Sequence, residues 1–462
     1  MSEVFSPTAE QREAIAARGS ALLISAGAGS GKTRVLTERL MAYLTDERDP
    51  RDADEFLIIT YTRAAAGELR GRIISAISDR LRADPKNRRM RRQAVLAHRA
   101  EIDTIHSFCG RIARENAHSL SISPAFRIAE ESECEAIKTA TLERVLEARY
   151  ENIDRHEGFS LLADTLSPGR DDKKLAELTL EVYTKLRSNV DEQHRAEEQL
   201  ERLRRAATED LSKTVWGGFI IEKARRIAEY RLSRAEKTLE LLAADGEAYR
   251  LFGECFEYAR TCARAFLAST EPSADGSAPS DIWDAAEKSA VFEFPRAKPC
   301  KKGTFEDIKA EWTRCREGLR EIRDLFPADS QGLKEDIAAV YPVTAALFAL
   351  VRDFAGAYLD EKQRRGIVDF SDLEHFALQL LCDKEGSPTE LAREISARYV
   401  EIMVDEYQDV SEIQERIFEA VSRGGRNLVT VGDARQSIYR FRLADPSIFL
   451  RKYRSFSDAA DE

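Results

Sequence analysis

Ala21-Leu22-Leu23-Ile24-Ser25-Ala26-Gly27-Ala28-Gly29-Ser30-Gly31-Lys32-Thr33 is the stretch on which the reading of the whole chain turns. Residues 21–25 form a short, unbroken apolar run, the pattern of a strand buried on both faces of a parallel sheet. A helix-like stretch, Lys32 to Leu44, follows. Between them lies the phosphate-loop consensus GxxxxGK[ST], with Ala26 in place of the first glycine. Glycines 27, 29 and 31 let backbone N–H groups turn inward around phosphate oxygens. The helix N-terminus adds the positive end of its dipole. Lys32 is expected to reach the β- and γ-phosphates of a nucleotide, and the Thr33 hydroxyl to hold Mg²⁺. Glycines also serve ordinary tight turns. The Gly-Ser-Gly-Lys-Thr ending between strand and helix favours the nucleotide.

Such a loop needs a second metal-holding carboxylate at the end of a neighbouring strand. Tyr399 to Asp405 reads as that strand, and it runs into Asp405-Glu406-Tyr407-Gln408-Asp409. Asp405 is expected to bind Mg²⁺ through water, and Glu406 to orient and deprotonate the attacking water. An isolated Asp-Glu pair would read as a solvated acidic turn. An apolar strand entering it, in a chain that carries the glycine loop, reverses that reading. The interval from residue 32 to residue 405 is far too long for a minimal core and fits one with large insertions.

Working outward, Phe56-Leu57-Ile58-Ile59-Thr60 is a second apolar run, followed by a helical pattern from Ala64 to Leu81. Asn427 to Asp433 reads as a further strand. Strand and helix in alternation define an α/β class. From about Glu130 to Lys362 the texture changes: Ala224, Ile227, Ala228, Ala235, Leu239 and Leu242 recur at helical spacing in a charged background. Glu135–Tyr150 and Val340–Tyr358 behave alike. The expected architecture is one α/β parallel-sheet domain built from residues 1–130 and 363–462, with a mostly α-helical domain inserted over 131–362. Ser269 to Asp281 is rich in Ser, Pro, Gly and Asp and predicts a flexible loop, and the stretch on to Gly303 reads as irregular.

Composition narrows the class. The chain has 462 residues, 71 basic against 82 acidic, and a net charge of −11. That balance argues against coating nucleic acid by bulk attraction and leaves room for a local basic groove. Seven cysteines, odd in number and without a CxxC pair, argue against a disulfide framework or a zinc site. Six histidines argue against a His-rich metal centre. The best apolar run, Ala345 to Val351, falls short of the ~18 residues of a membrane span. Met1 to Gln11 carries no secretory leader. The expectation is a cytoplasmic protein with reduced thiols and no membrane partner. Arg88-Arg89-Met90-Arg91-Arg92 is the densest basic cluster and a candidate DNA contact, although such runs are more often solvated faces. Trp216, Trp283 and Trp312 read as core anchors.

Seven motifs in order carry a resemblance. They are Thr8–Ala14 around Gln11, Ala26–Thr33, Thr60–Ala66, Thr104–Phe108, Asp369–Leu373, Val404–Asp409 and Val431–Arg442. Together they resemble superfamily 1 DNA helicases of the UvrD/Rep type. Within that family, the long helical insert and the Arg440–Phe449 ending are most similar to the AddA-type helicase–nuclease subunits. The resemblance implies a RecA-like fold for the α/β domain, with ATP and Mg²⁺ as cofactors. It also implies single-stranded DNA and DNA ends as substrates, 3′-to-5′ translocation and an AddB-like nuclease partner.

It further implies roles residue by residue. Ala26, Gly27, Ala28, Gly29, Ser30, Gly31, Lys32 and Thr33 form the phosphate loop, and Gln11 hydrogen-bonds the adenine edge. Arg34 and Arg70 contact the nucleotide, and Gln436 senses the γ-phosphate. Tyr61 and Phe441 stack on bases, Arg442 takes a phosphate, and Thr62, His106 and Ser107 touch the DNA backbone. Read alone, Gln11 is an early helix residue, Arg34 and Arg70 are solvated charges, Gln436 is a surface amide, and Tyr61 and Phe441 pack in a core. Nothing in the sequence resembles a second RecA-like lobe or a nuclease domain, and Lys452–Ser455 lacks the apolar approach of the next motif. The chain therefore reads as the N-terminal part of a longer protein, binding ATP weakly and hydrolysing it slowly. Two rivals are a protein-remodelling ATPase and a non-catalytic scaffold. The Thr104 and Gln436 motifs argue against the first, and intact Lys32, Asp405 and Glu406 against the second.

Overall fold

A computed structural model describes residues 6–27, 29–156, 158–167, 169, 171–271, 282–301, 303–437 and 444–456. Five strands make one wholly parallel sheet: β1 (Leu22–Ser25), β2 (Phe56–Thr60), β3 (Glu101–Thr104), β6 (Glu401–Val404) and β7 (Leu428–Gly432), in the order β1-β7-β6-β2-β3. Two further strands, β4 (Arg127–Ile128) and β5 (Ile367–Val368), form a separate parallel pair. Registers such as Leu22↔Val429, Met403↔Val429 and Ile58↔Met403 join the two ends of the chain in one sheet. Because every strand runs the same way, all five carboxyl ends open on one edge.

The central strands explain the burial. β2, β6 and β7 are buried at every position, as continuous apolar runs with both faces covered should be. Period-two alternation divides their side chains between two cores. Phe56, Ile58, Met403, Val429 and Val431 pack with Leu36 and Leu40 of helix Lys32–Leu44 and with Leu69 and Ile73 of helix Arg63–Ala83. Leu57, Ile59, Ile402, Val404 and Leu428 face the other way. There they meet Phe108 of helix Ile105–Glu115, Leu373 of helix Phe370–Leu381 and Ile417 of helix Glu412–Val421. Each such side chain contributes about 1.5–3 kcal/mol on burial. β1 departs from the expectation of a doubly buried strand: it lies at the sheet edge and is only half-buried, with Ser25 exposed. β3 was not foreseen, because Glu-Ile-Asp-Thr alternates polar and apolar as an edge strand can.

The chain divides into two compact units. The first comprises residues 1–153, 166–195 and 348–462, and the second residues 154–165 and 196–347. These limits differ from the expected 1–130, 131–362 and 363–462. Helical periodicity shows that a segment is helical but not which core it joins. Residues 131–153, 166–195 and 348–362 belong with the sheet, and buried contacts hold them there. Lys362 Nζ lies 2.8 Å from Asp369 and 2.6 Å from Asp372, and Arg187 lies 2.9 Å from Asp372. Arg149 pairs with Asp353, and the Tyr183 and Phe354 rings meet edge-on at 5.1 Å.

The second unit is helical. Val215–Ala243, Gly246–Ser269, Ile282–Ser289 and Glu306–Asp324 surround Phe252, Phe256, Phe266, Trp283 and Trp312. Trp283 and Trp312 are core anchors as expected, whereas Trp216 is 38% exposed and only edges against Trp283. Of the expected loop, residues 272–281 lie outside the described residues. The stretch after it is not uniformly irregular: Ile282–Ser289 is a helix that buries Trp283 and Ala286. One described helix, Ser330–Arg365, is long and apolar enough to cross a membrane by length and composition, contrary to the sequence reading. Buried core helices of water-soluble domains share those properties. Ala346, Leu350, Phe354 and Tyr358 of this helix are buried.

Candidate functional site

The carboxyl ends of parallel strands are where open α/β sheets bind ligands. Here that edge carries residues 26–33 after β1, Tyr61–Thr62 after β2, Thr104–Ser107 at the end of β3, Asp405–Asp409 after β6 and Asp433–Gln436 after β7. The glycine loop is pinned to its neighbour by Ala26 N–H donating to the Gly432 carbonyl at 3.0 Å. Gly29 and Gly31 have φ of 75° and 85°, a left-handed backbone that favours glycine. Gly31 is the N-cap of helix Lys32–Leu44, so the turn into that helix depends on it. Ala28 lies outside the described residues.

Lys32 Nζ sits 3.0 Å from Glu406 Oε2, joining two residues 374 positions apart. The Lys32 side chain is 10% exposed and that of Glu406 38%. Asp405 extends β6 by donating its N–H to the Ile59 carbonyl, and its Oδ1 accepts the Glu406 N–H. Burial pushes the Asp405 carboxyl up to about 6, with the neighbouring Glu406 charge adding to the effect. Glu406 has φ of 52°, a left-handed conformation that costs a non-glycine residue about 1–2 kcal/mol. Such strain marks candidate functional positions.

Two residues missed in the sequence complete a relay. Gln408 is buried. Its Nε2 donates to Glu406 Oε2 at 2.8 Å, and its Oε1 accepts the Asp433 N–H at 2.9 Å. Asp433 Oδ2 accepts from Gln436 Nε2 at 2.7 Å. The backbone N–H of Arg435 and the Gln436 amide hold the Asp433 carboxyl below its ordinary range. Hydrogen bonds therefore run from Lys32 through Glu406, Gln408 and Asp433 to Gln436. A Cβ on Gly432 would lie 2.3 Å from Gln408 Oε1, so the strand end must be glycine for the amide to pass. Only the sequence proximity of Gln408 to Glu406, and of Asp433 to Gln436, hinted at this.

Gln11 is on helix Ala9–Ala16, which Thr8 caps in a reciprocal box with Gln11 itself. Its Nε2 donates to the Ser30 carbonyl at 2.9 Å, which brings it onto the glycine loop. Arg34 is exposed in the first turn of helix Lys32–Leu44. Arg70 is not at this edge. Its guanidinium donates to the Ala100 and Ile102 carbonyls at the amino end of β3. That is the opposite end of the far edge strand, about 19 Å across the sheet from β1 at ~4.8 Å per strand. The sequence expectation for Arg70 is corrected accordingly.

On the other side of the edge, Tyr61 is half-buried and Thr62 caps helix Arg63–Ala83 by accepting the Ala65 N–H. Ser107 and Thr104 share hydrogen bonds at the start of helix Ile105–Glu115. His106 is 35% exposed and lies 3.1 Å from Glu374, which also accepts from Gln414 at 2.6 Å. The Phe370 ring, 47% exposed, stands 4.7 Å from the His106 ring. Its exposure as a large aromatic is the signal that the sequence lacked. Phe441 and Arg442 lie outside the described residues.

The basic cluster at 88–92 is largely occupied. Arg89 donates to the Leu44 and Arg51 carbonyls, Arg91 to the Pro85 carbonyl, and Arg92 pairs with Asp52. These bonds fasten helix Arg88–Leu96 to the domain, which accounts for the cluster without DNA.

Among the described residues no group of three or more His, Cys, Asp or Glu could hold a metal ion by itself. The donor set at this edge instead suits a hard cation shared with phosphate. The Thr33 hydroxyl, a buried Asp405 carboxylate, waters and substrate oxygens match the needs of Mg²⁺.

A parallel sheet whose glycine loop meets an Asp-Glu strand end defines a nucleotide-binding α/β protein. Comparison with known families makes this more particular. The chain belongs to the UvrD/REP helicase N-terminal domain family, whose family model matches residues 7–248 and 301–457. It is similar to the ATP-dependent helicase/nuclease protein AddA of Exiguobacterium sibiricum, 37% identical over 464 residues, 97% of this chain and 37% of that protein. The protein of the same name from Acetivibrio thermocellus is 35% identical over 472 residues, 99% of this chain and 37% of its own length. That from Carboxydothermus hydrogenoformans is 37% identical over 455 residues, 98% of this chain and 37% of its own length. The chain thus spans little more than a third of the length of these relatives.

Proposed function

We propose that this chain is the N-terminal ATP-binding motor portion of an ATP-dependent 3′-to-5′ DNA helicase of the AddA type. In this reading the parallel sheet is a RecA-like lobe, and the whole protein is a cytoplasmic helicase–nuclease. It would act with an AddB-like partner on DNA ends in double-strand break repair. The observation that carries the reading is the 3.0 Å contact between Lys32 and Glu406 across 374 residues.

The residues suggest their own division of labour. The amides of residues 26–31 and the Lys32 ammonium cradle the phosphates. Thr33 and Asp405 would hold Mg²⁺, which when bound neutralises charge developing on the phosphoryl oxygens. Lys32 must leave Glu406 to reach the γ-phosphate. That exchange frees Glu406 to take a proton from the attacking water. Through Gln408 and Asp433 the same exchange reaches Gln436, so the nucleotide state can bias the β7 end. Tyr61, Phe370 and His106 offer rings for base stacking, each worth about 1–3 kcal/mol. Thr62 and Ser107 supply hydroxyls for DNA phosphates. A second lobe, supplied by the longer protein, would add an arginine worth about 10³–10⁵ in rate.

The test is nucleotide and DNA binding. A nonhydrolysable ATP analogue should raise the melting temperature, single-stranded DNA should raise it further, and Lys32→Ala should abolish the first shift. Unchanged nucleotide binding in Lys32→Ala would defeat the site. A nucleotide shift with no added effect of DNA would favour an ATPase that remodels protein.

A further inference from the structure

Helix Ala9–Ala16 carries Gln11, yet it buries none of its own residues. A helix without core burial is placed by its tethers. One is Gln11 itself, through the Ser30 carbonyl. The second comes from below. Arg39, fully buried on helix Lys32–Leu44, donates its Nη1 to the Ala14 carbonyl, one helical turn past Gln11. The same guanidinium grips both oxygens of Glu401, Nε to Oε2 at 2.7 Å and Nη2 to Oε1 at 2.6 Å. Tyr43 donates to Glu401 Oε1 at 2.9 Å. Glu401 opens β6 and pairs with Phe56 in the middle of the sheet, on the strand that ends at Asp405. A third tether is Arg18, which is exposed. It donates to the Ile15 and Ala17 carbonyls and lies with its guanidinium 3.7 Å from the Tyr43 ring centroid.

We infer that Arg39 is a positioning residue for base selection: it fixes the Gln11 helix to the central sheet and thereby sets the preference for adenine over guanine nucleotides. The inference rests on the adenine reading of Gln11 proposed above. Gln11 has two N–H groups and two acceptor positions on its amide. Ser30 takes one donor and the Thr8 N–H takes one acceptor. One of each remains, which matches the adjacent donor and acceptor of an adenine edge and mismatches guanine. Discrimination of this kind needs the amide held in place, because a free amide turns to suit either base. Arginine suits the task, since its planar fork can clasp a carboxylate on one side and reach a carbonyl on the other. A buried ion pair is by itself weak support for stability, and setting geometry is its better-attested use.

Competition binding of ATP and GTP would test this with the unaltered chain, Gln11→Ala, Arg39→Lys and the double variant. Lysine keeps a charge for Glu401 but cannot also reach Ala14. Arg39→Lys is expected to lower the ATP-to-GTP affinity ratio about fivefold or more, with GTP affinity unchanged. The double variant should match Gln11→Ala alone. A purely structural Arg39 would weaken both nucleotides equally, or add to Gln11→Ala, and either result overturns the inference. If Gln11→Ala leaves the ratio unchanged, the adenine reading of Gln11 fails and this inference falls with it. If Gln11→Ala lowers the ratio and Arg39→Lys does not, only the role of Arg39 is lost. Should Arg39→Lys not fold, the exposed Arg18→Ala loosens the same helix end. It is expected to lower the ratio in the same direction, and an unchanged ratio overturns the inference.

Discussion

Asp405 is tuned by burial. Its carboxyl rises from 3.8 to about 6, so the folded protein holds this proton more tightly than the unfolded chain does. The sign follows: this group's contribution is most favourable below about pH 4 and is lost as pH rises through about 6. At ~1.36 kcal/mol per pH unit, the metal-free protein carries a penalty on the order of 3 kcal/mol at pH 7.5. Asp405→Asn is therefore expected to raise the melting temperature of metal-free protein at pH 7.5, with no gain at pH 4, while Mg²⁺-dependent hydrolysis disappears. A variant no more stable than the parent at pH 7.5 would refute this account. Gln408 belongs to the same scale. Gln408→Ala breaks the relay between Glu406 and Asp433 without touching the loop. The expectation is a fall in kcat of about tenfold or more with little change in KM, read from steady-state ATPase assays. A change in KM alone would place Gln408 in binding instead.

At the scale of elements, helix Arg88–Leu96 shows how a charge run can mislead. Four arginines in five residues read as a DNA patch, yet Arg89 satisfies the Leu44 and Arg51 carbonyls, and Leu44 ends the helix that begins at Lys32. Arg89→Ala should lower stability by about 1–3 kcal/mol by stranding those acceptors, as measured by urea unfolding. Single-stranded DNA affinity should stay within about twofold, because a solvated or internally bonded charge adds little to DNA contact. A loss of DNA affinity at unchanged stability would restore the DNA reading. The phosphate loop shows the opposite case. The glycines at 29 and 31 announce left-handed backbone in the sequence, and that is what the loop adopts. Helix limits were also legible: Lys32–Leu44 matches the expected range, and Arg63–Ala83 exceeds Ala64–Leu81 by a residue or two at each end. Short polar strands were not, because Glu101–Thr104 has no apolar run to mark it.

At the scale of the molecule, nucleotide and metal residues lie wholly in the first unit, and the second has its own core around Phe256, Trp283 and Trp312. Two cores allow two unfolding transitions. A nonhydrolysable ATP analogue at about 100 times its dissociation constant should stabilise the transition of the sheet-bearing unit by about 2.7 kcal/mol and leave the other unmoved. Calorimetry with and without the analogue checks this. Equal shifts in both, or a single transition, would mean the units unfold together.

The sequence by itself determined the parallel α/β sheet, the glycine loop, the Asp405-Glu406 strand end and the helical insert, because each is written in contiguous residues whose local physics needs no partner. Tertiary structure alone decided which helices join which core, where Arg70 and Arg89 spend their donors, and that Gln408 and Asp433 link Glu406 to Gln436. Those outcomes depend on which buried donor finds which acceptor, a choice made between residues far apart along the chain. Spacing in the sequence carries no record of it.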